Sequence, residues 1–249
     1  MPLPSYIKTQ GISLRTIPYS ETSCITKIFT PEHGVISCLI RGIRKKSSKQ
    51  NLIYYRELSI LNLELKKNKH SDLYNIEDVN LEHTFSHYLD GGHDINKPCI
   101  YMFLCELINK CIKDDVSSDE LYDFLYSILI EMDRCDVISC DFHLVFMIQF
   151  AKYFGLAMNL DNYSDASVFD IAEGVLTKTI PEHKQYIPAQ YVGIINEALL
   201  LKPNERISGC TSSEIRRNTI SYLEQFYQYH FPNFQQLKST HILRQILEG

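Results

Sequence analysis

The first eighty residues alternate between short runs rich in Val, Ile and Thr and clusters of turn-forming residues. IKTQGISLRTIPY, SCITKIFT, GVISCLIRGIR, YYRELSILNLEL and a segment near SDLYNIEDV read as strands. Pro18 with Ser20, Pro31 to Gly34, the Lys/Ser run 45–49 and Asn68 to Ser71 separate them. In the fourth run Leu61, Leu63 and Leu65 alternate with Ile60, Asn62 and Glu64, a period of two that fills one face of a sheet. About five short antiparallel strands that close on themselves suit a small barrel such as the OB-fold, and an SH3-like barrel fits almost as well.

From Pro98 the period lengthens to that of a helix. In PCIYMFLCELINKCIK the residues Ile100, Leu104, Leu107, Ile108, Cys111 and Ile112 share a face, and Pro98 suits a first turn. Ser117-x-x-Glu120 and Thr211-x-x-Glu214 have the capping-box spacing that opens a helix. FHLVFMIQFAKYFG is apolar nearly all round and stops at Gly155, as a helix enclosed by others would. Helices near 190–201, 212–230 and 239–247 complete a bundle, and the Asp-, Ser- and Asn-rich stretch 156–188 reads as an irregular, mobile insertion. The expected fold class is therefore α+β: a five-stranded OB-fold barrel over residues 1–80, followed by an all-α bundle over 81–249.

Charge divides along the same line. The net charge of the 249 residues is −5, which by itself argues against a polyanionic partner. Residues 1–80, however, carry 12 Lys and Arg against 7 Asp and Glu, a net of +5, and the remainder carry 13 against 23, a net of −10. The cationic excess peaks at Arg41, Arg44, Lys45, Lys46 and Lys49, five charges within nine residues at a strand end. Such a density neutralises phosphates and releases their counterions, and Ser47 and Ser48 add hydroxyl donors. Tyr54 and Tyr55 follow closely, offering rings on which unpaired bases stack. The competing reading of the run is a solvated loop.

Other chemistry is sparse. Eight cysteines at irregular spacing, with no C-x-x-C pair, read as reduced core thiols. His83 and His87, beside Glu82, lack the order of a hydrolytic zinc motif, and phosphate-binding loops, dinucleotide fingerprints and nucleophile elbows do not occur. An enzyme is not expected, nor a cofactor. No run of 18 apolar residues occurs, and MPLPSYIKTQ lacks the pattern of a secretory signal, so a cytoplasmic location is expected.

Four turn signatures in sequence carry a resemblance. Leu14-Arg15-x-x-Pro18-Tyr19-Ser-Glu21-x-Ser23 is followed by Phe29-Thr30-x-x-x-Gly34 and then by Arg41-Gly42-x-Arg44 with its Lys/Ser run. LNLELKKNKHSDLYNIEDV and, before the last helix, Leu237-Lys238-Ser239 continue the pattern. In order and spacing the chain resembles the RecO family. That resemblance implies a bacterial, nucleoid-associated DNA repair and recombination mediator that binds single- and double-stranded DNA and anneals complementary strands. It also implies that, with RecR, the protein helps load RecA onto DNA coated with single-strand-binding protein. The implied partners are DNA, RecR, the C-terminal tail of single-strand-binding protein, and RecF as a further candidate. Carried over residue by residue, the phosphate-contacting segment falls on Arg41, Arg44, Lys45, Lys46 and Lys49, with Arg15 and Lys27 flanking it. For the acidic tail, Arg216, Arg217, Lys238 and Arg244 near the final helices are the candidate cations.

One departure stands out. Many family members carry a four-cysteine zinc module after the central helix, whereas LAMNLDNYSDASVFDIAEGVLTKTIPEH contains no cysteine. Asp161, Asp165 and His183 are poor substitutes for four thiolates, so a zinc-less variant is expected, with the module's backbone persisting as a small hairpin. The rival functional reading is an adaptor that binds proteins only, its barrel a scaffold and its basic loop docking on an acidic partner.

Overall fold

A computed structural model describes residues 6–42, 52–68, 71–83, 96–114 and 116–246. The first of these form strands β1 (Tyr6–Ser20), β2 (Ser23–Thr30), β3 (Gly34–Arg41), β4 (Ile60–Lys67) and β5 (Tyr74–His83). They close in the order β1-β2-β3-β5-β4. The length of β1 makes closure achievable: Tyr6 to Ile12 pair with β4, and Ile12 to Ser20 pair with β2. At the crossover of the two ladders stands Gly11, where an added Cβ would lie 2.4 Å from Ile28 Cγ2. Only glycine lets β1 bend this closely over β2. The parallel pairing of β3 with β5, Cys38 opposite Tyr74 and Leu39 opposite Asn75, completes the Greek-key order of the OB-fold. Ile28, Ile36, Ile40, Leu61, Leu63 and Leu65 fill the interior, so the alternation read in β4 is the one the barrel uses.

Two local expectations are corrected. The run YYREL does not begin β4, because Leu52–Tyr55 form a 3-10 turn and the strand starts at Ile60. The Tyr55 carbonyl accepts hydrogen bonds from Ser13 Oγ at 3.2 Å and Thr16 Oγ1 at 3.1 Å, which fastens the turn to β1 and leaves no edge to pair. Both capping boxes are displaced by one residue: Ser118 Oγ accepts from Leu121 N, and Ser212 Oγ accepts from Ile215 N. Each site offers adjacent hydroxyl residues, and spacing alone cannot choose between them.

Among the described residues the α-helices are α1 (Asn96–Cys111), α2 (Asp119–Arg134), α3 (Phe142–Ala151), α4 (Ala189–Ala198), α5 (Ser213–His230) and α6 (Ser239–Ile246). Nine of the ten α3 side chains are buried, and the helix tightens into a 3-10 turn that ends at Gly155 with φ 72°. This is the enclosed helix the apolar run predicts. The stretch 156–188 is more ordered in backbone than expected: β6 (Val168–Asp170), β7 (Val175–Thr177) and β8 (Tyr186–Ile187) form a sheet in the order β7-β6-β8. All eight cysteines are free thiols, and burial holds those of Cys38 and Cys210 up at about 12, far from the thiolate.

By contacts the chain divides into two units, one of residues 1–92 with 107–134 and one of residues 93–106 with 135–249. The end of α1 and all of α2 thus fold with the barrel. Counting charge by unit, the barrel unit holds 15 basic and 16 acidic residues, a net of −1, and the other holds 10 against 14, a net of −4. The sharp opposition seen along the sequence is therefore softened, because α2 and its approaches bring acidic residues to the barrel unit. What survives is a local asymmetry on the barrel itself.

Within the second unit His143 is 4% exposed and its Nδ1 has no hydrogen-bond partner. Burial, assisted by the charge of Arg216, lowers its pKa from 6.5 to about 3. Between those values the unfolded chain holds a proton that the folded one does not, so stability falls as the pH drops through that window. From pH 8 to pH 5 this residue is expected to cost about 2 kcal/mol. In a His143→Leu variant that loss is expected to be absent, and superimposable pH profiles of urea unfolding for the two proteins would refute the assignment.

Candidate nucleic-acid interface

Side chains alternate between the barrel interior and its outside, and the interior set on β2 and β3 includes Ile28, Ile36, Cys38 and Ile40. Lys27 and Arg41, one residue off that set, therefore face outward. Arg15 is the register partner of Lys27. A register shift between Ser13 and Arg15 inserts Leu14 as an extra residue and turns Arg15 to the same outer side. Along β3, Ser37 stands opposite Lys27 and Arg41 opposite Ser23. The three cations thus share the outer face of β1, β2 and β3.

They differ in availability. Arg15 and Arg41 are exposed, while Lys27 is held by the Asp114 carboxylate, with Oδ2 at 2.7 Å. Arg41 ends β3, and Gly42 follows with φ 75°, its N–H closing the β1–β2 turn by donating to the Thr22 carbonyl at 2.9 Å. Arg44, Lys45, Lys46 and Lys49 themselves lie outside the described residues.

The two tyrosines do not form the expected stacking pair. Tyr55 is 2% exposed and packs into the barrel core, where burial raises its hydroxyl pKa and the oxygen finds no partner. Tyr54 is half-buried and leans on the same core. A ring enclosed in this way is a packing element and offers no face to a base. Among the described residues an exposed aromatic close to Arg41 is Tyr19, 63% exposed, at the end of β1, where its neighbour Ser20 pairs with Ser23 and Ser23 with Arg41. Reading along the chain misses it, because the end of β1 comes close to Arg41 only through the β1–β2 and β2–β3 pairings.

In the second unit Arg216 is unavailable to a peptide. Its side chain is 14% exposed, its guanidinium lies 3.7 Å from Asp141 Oδ1, and it donates to the Cys210 carbonyl at 3.2 Å. Lys238 is exposed, and the Arg244 side chain lies outside the described residues. Among the described residues, surface grooves here include one of about 640 Å3 beside Met158, Tyr163, Leu199 and Leu200 and one of about 250 Å3 beside Ile171, Gln225 and Tyr229. Neither is lined by a Lys or Arg.

At the position of the zinc module, His183 Nε2 lies 3.2 Å from Asp170 Oδ2 and its Nδ1 accepts from Gln185 N. The other Asp170 oxygen accepts from the N–H groups of Ala172 and Glu173, which forms the β6–β7 turn. Asp161 and Asp165 are not brought to His183, and among the described residues no group of three or more His, Cys, Asp or Glu side chains is placed to hold a metal ion. His83, at the end of β5 rather than on a helix, lies 2.8 Å from Asp133 Oδ2. His87 lies outside the described residues.

Comparison with known families decides what this barrel belongs to. The N-terminal description "Recombination protein O N terminal" matches residues 3–85, and "Recombination protein O C terminal" matches residues 92–241. The chain belongs to the RecO family. It is 29% identical over 241 residues to the DNA repair protein RecO of Phocaeicola vulgatus, which covers 96% of this chain and 98% of that one. The DNA repair protein RecO of Bacteroides fragilis is 26% identical over 97% of this chain and 99% of its own, and that of Flavobacterium johnsoniae 27% identical over 96% and 98%. The RecO-family boundary between residues 85 and 92 lies close to the change of hydrophobic period, although the compact units divide differently. Among the described residues of this RecO-family chain, no helix is long and apolar enough to cross a membrane.

Proposed function

We propose that this protein acts in DNA repair as a recombination mediator that binds single- and double-stranded DNA through the barrel and anneals complementary strands. The observation that carries the reading is the outer face of β1, β2 and β3, where exposed Arg15 and Arg41 lead into the basic segment. Two strands repel each other through their phosphates. A surface that neutralises phosphates and leaves base edges free lowers the barrier to their encounter without sequence preference. Tyr19, rather than Tyr55, supplies the exposed ring for a base beside Arg41.

The reading extends to partners of the RecO type: RecR, RecA loading, the C-terminal tail of single-strand-binding protein, and RecF. No bond chemistry is required, so the protein works as a binding protein at the bacterial nucleoid. Lys238, exposed at the start of α6, is the candidate cation for the acidic tail.

Contact with about 4 to 6 phosphates gives a log-log salt slope of roughly −3 to −4 on single strands. Replacing Arg44, Lys45, Lys46 and Lys49 together by Ala is expected to flatten that slope by at least half and to slow annealing of oligonucleotides precoated with single-strand-binding protein. A slope unchanged by the fourfold substitution would remove the basic segment from the interface. Failure of the unaltered protein to retain plain oligonucleotides in a filter-binding titration would leave the protein-only adaptor as the better reading.

A further inference from the structure

Where the outer face of β1 and β2 meets the last turn of α1, a cleft of about 500 Å3 opens, all within the barrel unit. Arg15, Lys27 and Lys113 line it, together with Asn109 and Asp114. Asn109 Nδ2 donates to the carbonyl of the bulged Leu14 at 3.0 Å, so strand and helix are tied at the cleft wall. Three cations around one opening repel each other unless an anion sits among them. Asp114 is that anion: both its carboxylate oxygens face Lys27 Nζ. Among the described residues neither Arg15 nor Lys113 is paired with a carboxylate, and Lys113 Nζ has only the Asn109 carbonyl, at 3.4 Å.

The two members of the ion pair are placed unequally. The Lys27 side chain is 24% exposed and the Asp114 side chain 70%. Lys27 is fixed in the cleft wall by β2, while the carboxylate reaches in from solvent and holds weakly, as water-exposed pairs do. An incoming phosphate carries the same charge and the same acceptor geometry, and it also releases its condensed counterions.

We propose that this cleft is a seat for one phosphodiester of bound DNA, in which Arg15, Lys27 and Lys113 take the phosphate and Asp114 is the anion it displaces. The proposal rests on the DNA-binding reading above and adds to it a third cation, two residues past the end of α1, and a built-in competitor. A nucleic-acid backbone is the fitting occupant because the cleft is continuous with the rest of the cationic face. Lys27 stands opposite Ser37, and Arg41 lies four residues further along β3 on the same side, about 13 Å away, the span of a few nucleotides.

The test is fluorescence anisotropy of a labelled oligo(dT) with the full chain, titrated over a range of salt. Asp114→Asn is expected to tighten binding about threefold or more at 0.1 M salt. Asp123→Asn, which removes the same charge from an exposed site on α2, is expected to change it less. Lys113→Gln is expected to flatten the log-log slope by about 0.7, the contribution of one phosphate on a single strand. Lys27→Ala added to Asp114→Asn is expected to abolish the gain. Equal gains from the Asn substitutions at 114 and 123, or a gain that survives loss of Lys27, would reduce the effect to overall charge and overturn the seat. If the unaltered protein binds but Lys113→Gln keeps its slope, the seat alone falls; if it binds no oligonucleotide, the DNA-binding reading falls with it.

Discussion

Substituting Asp141 by Ala is expected to destabilise the second unit by about 3 to 5 kcal/mol, the usual cost of stranding a buried charge. Asp141 is fully buried just ahead of α3. One of its oxygens accepts from Ile207 N at 3.1 Å, and the other lies 3.7 Å from Arg216 Nη1. Burial raises its pKa, and the hydrogen bond from Ile207 and the charges of Arg216 and Arg206 pull the other way without fully compensating. The pair therefore adds little net stability, yet removing one member leaves the Arg216 guanidinium inside the protein with the Cys210 carbonyl as its remaining neutral acceptor. Asp141→Asn keeps an acceptor for Ile207 and is expected to cost less. Asp141→Leu combined with Arg216→Met is expected to recover most of the loss, because it removes both charges and keeps apolar volume. Equilibrium urea unfolding of the four proteins measures the series, and an Ala variant as stable as the parent would show that the pair is solvated.

Tyr55→Ala is expected to cost the barrel about 3 to 5 kcal/mol, the range for emptying a buried aromatic site. Tyr55→Phe separates packing from recognition. The hydroxyl is buried without a partner, so its removal leaves no orphaned group and is expected to be neutral or slightly stabilising. DNA affinity of the Phe variant is expected to equal that of the parent, while Tyr19→Ala weakens it several-fold with little effect on stability, Tyr19 being 63% exposed. A selective loss of affinity in the Phe variant, with unfolding unchanged, would return Tyr55 to the interface.

The legible parts of the fold are those in which a local period meets a continuous core. Leu61, Leu63 and Leu65 mark the inner face of β4, and the all-round apolar run of α3 marks an enclosed helix. Both follow from burial that depends only on neighbouring positions. Less legible were places where two adjacent residues offer the same chemistry. Ser117 and Ser118, or Thr211 and Ser212, satisfy the capping rule equally, and the choice lies in how the preceding chain arrives. Tyr54 and Tyr55 carried an aromatic signal whose meaning depended on burial. The hydrogen bonds of Ser13 and Thr16 to the Tyr55 carbonyl draw that segment against β1, from some forty residues away.

The cationic face was half legible. Its charges are visible in the sequence, and so is their excess in the first eighty residues. That Arg15 and Lys27 are register partners, that Asp114 occupies Lys27, and that Lys113 joins them were set by strand pairing and by the return of α1 to the barrel.

By itself the sequence determined the class of the fold, the family and the sign of charge on the front strands, because these are carried by periodicity, turn residues and composition that neighbours in the chain fix together. Only the tertiary structure decided which aromatic faces solvent, which lysine is already paired, and that acidic helical residues fold with the basic barrel. Each of those depends on contacts between residues tens of positions apart, and Coulomb interaction and burial act on distance in space rather than on separation along the chain.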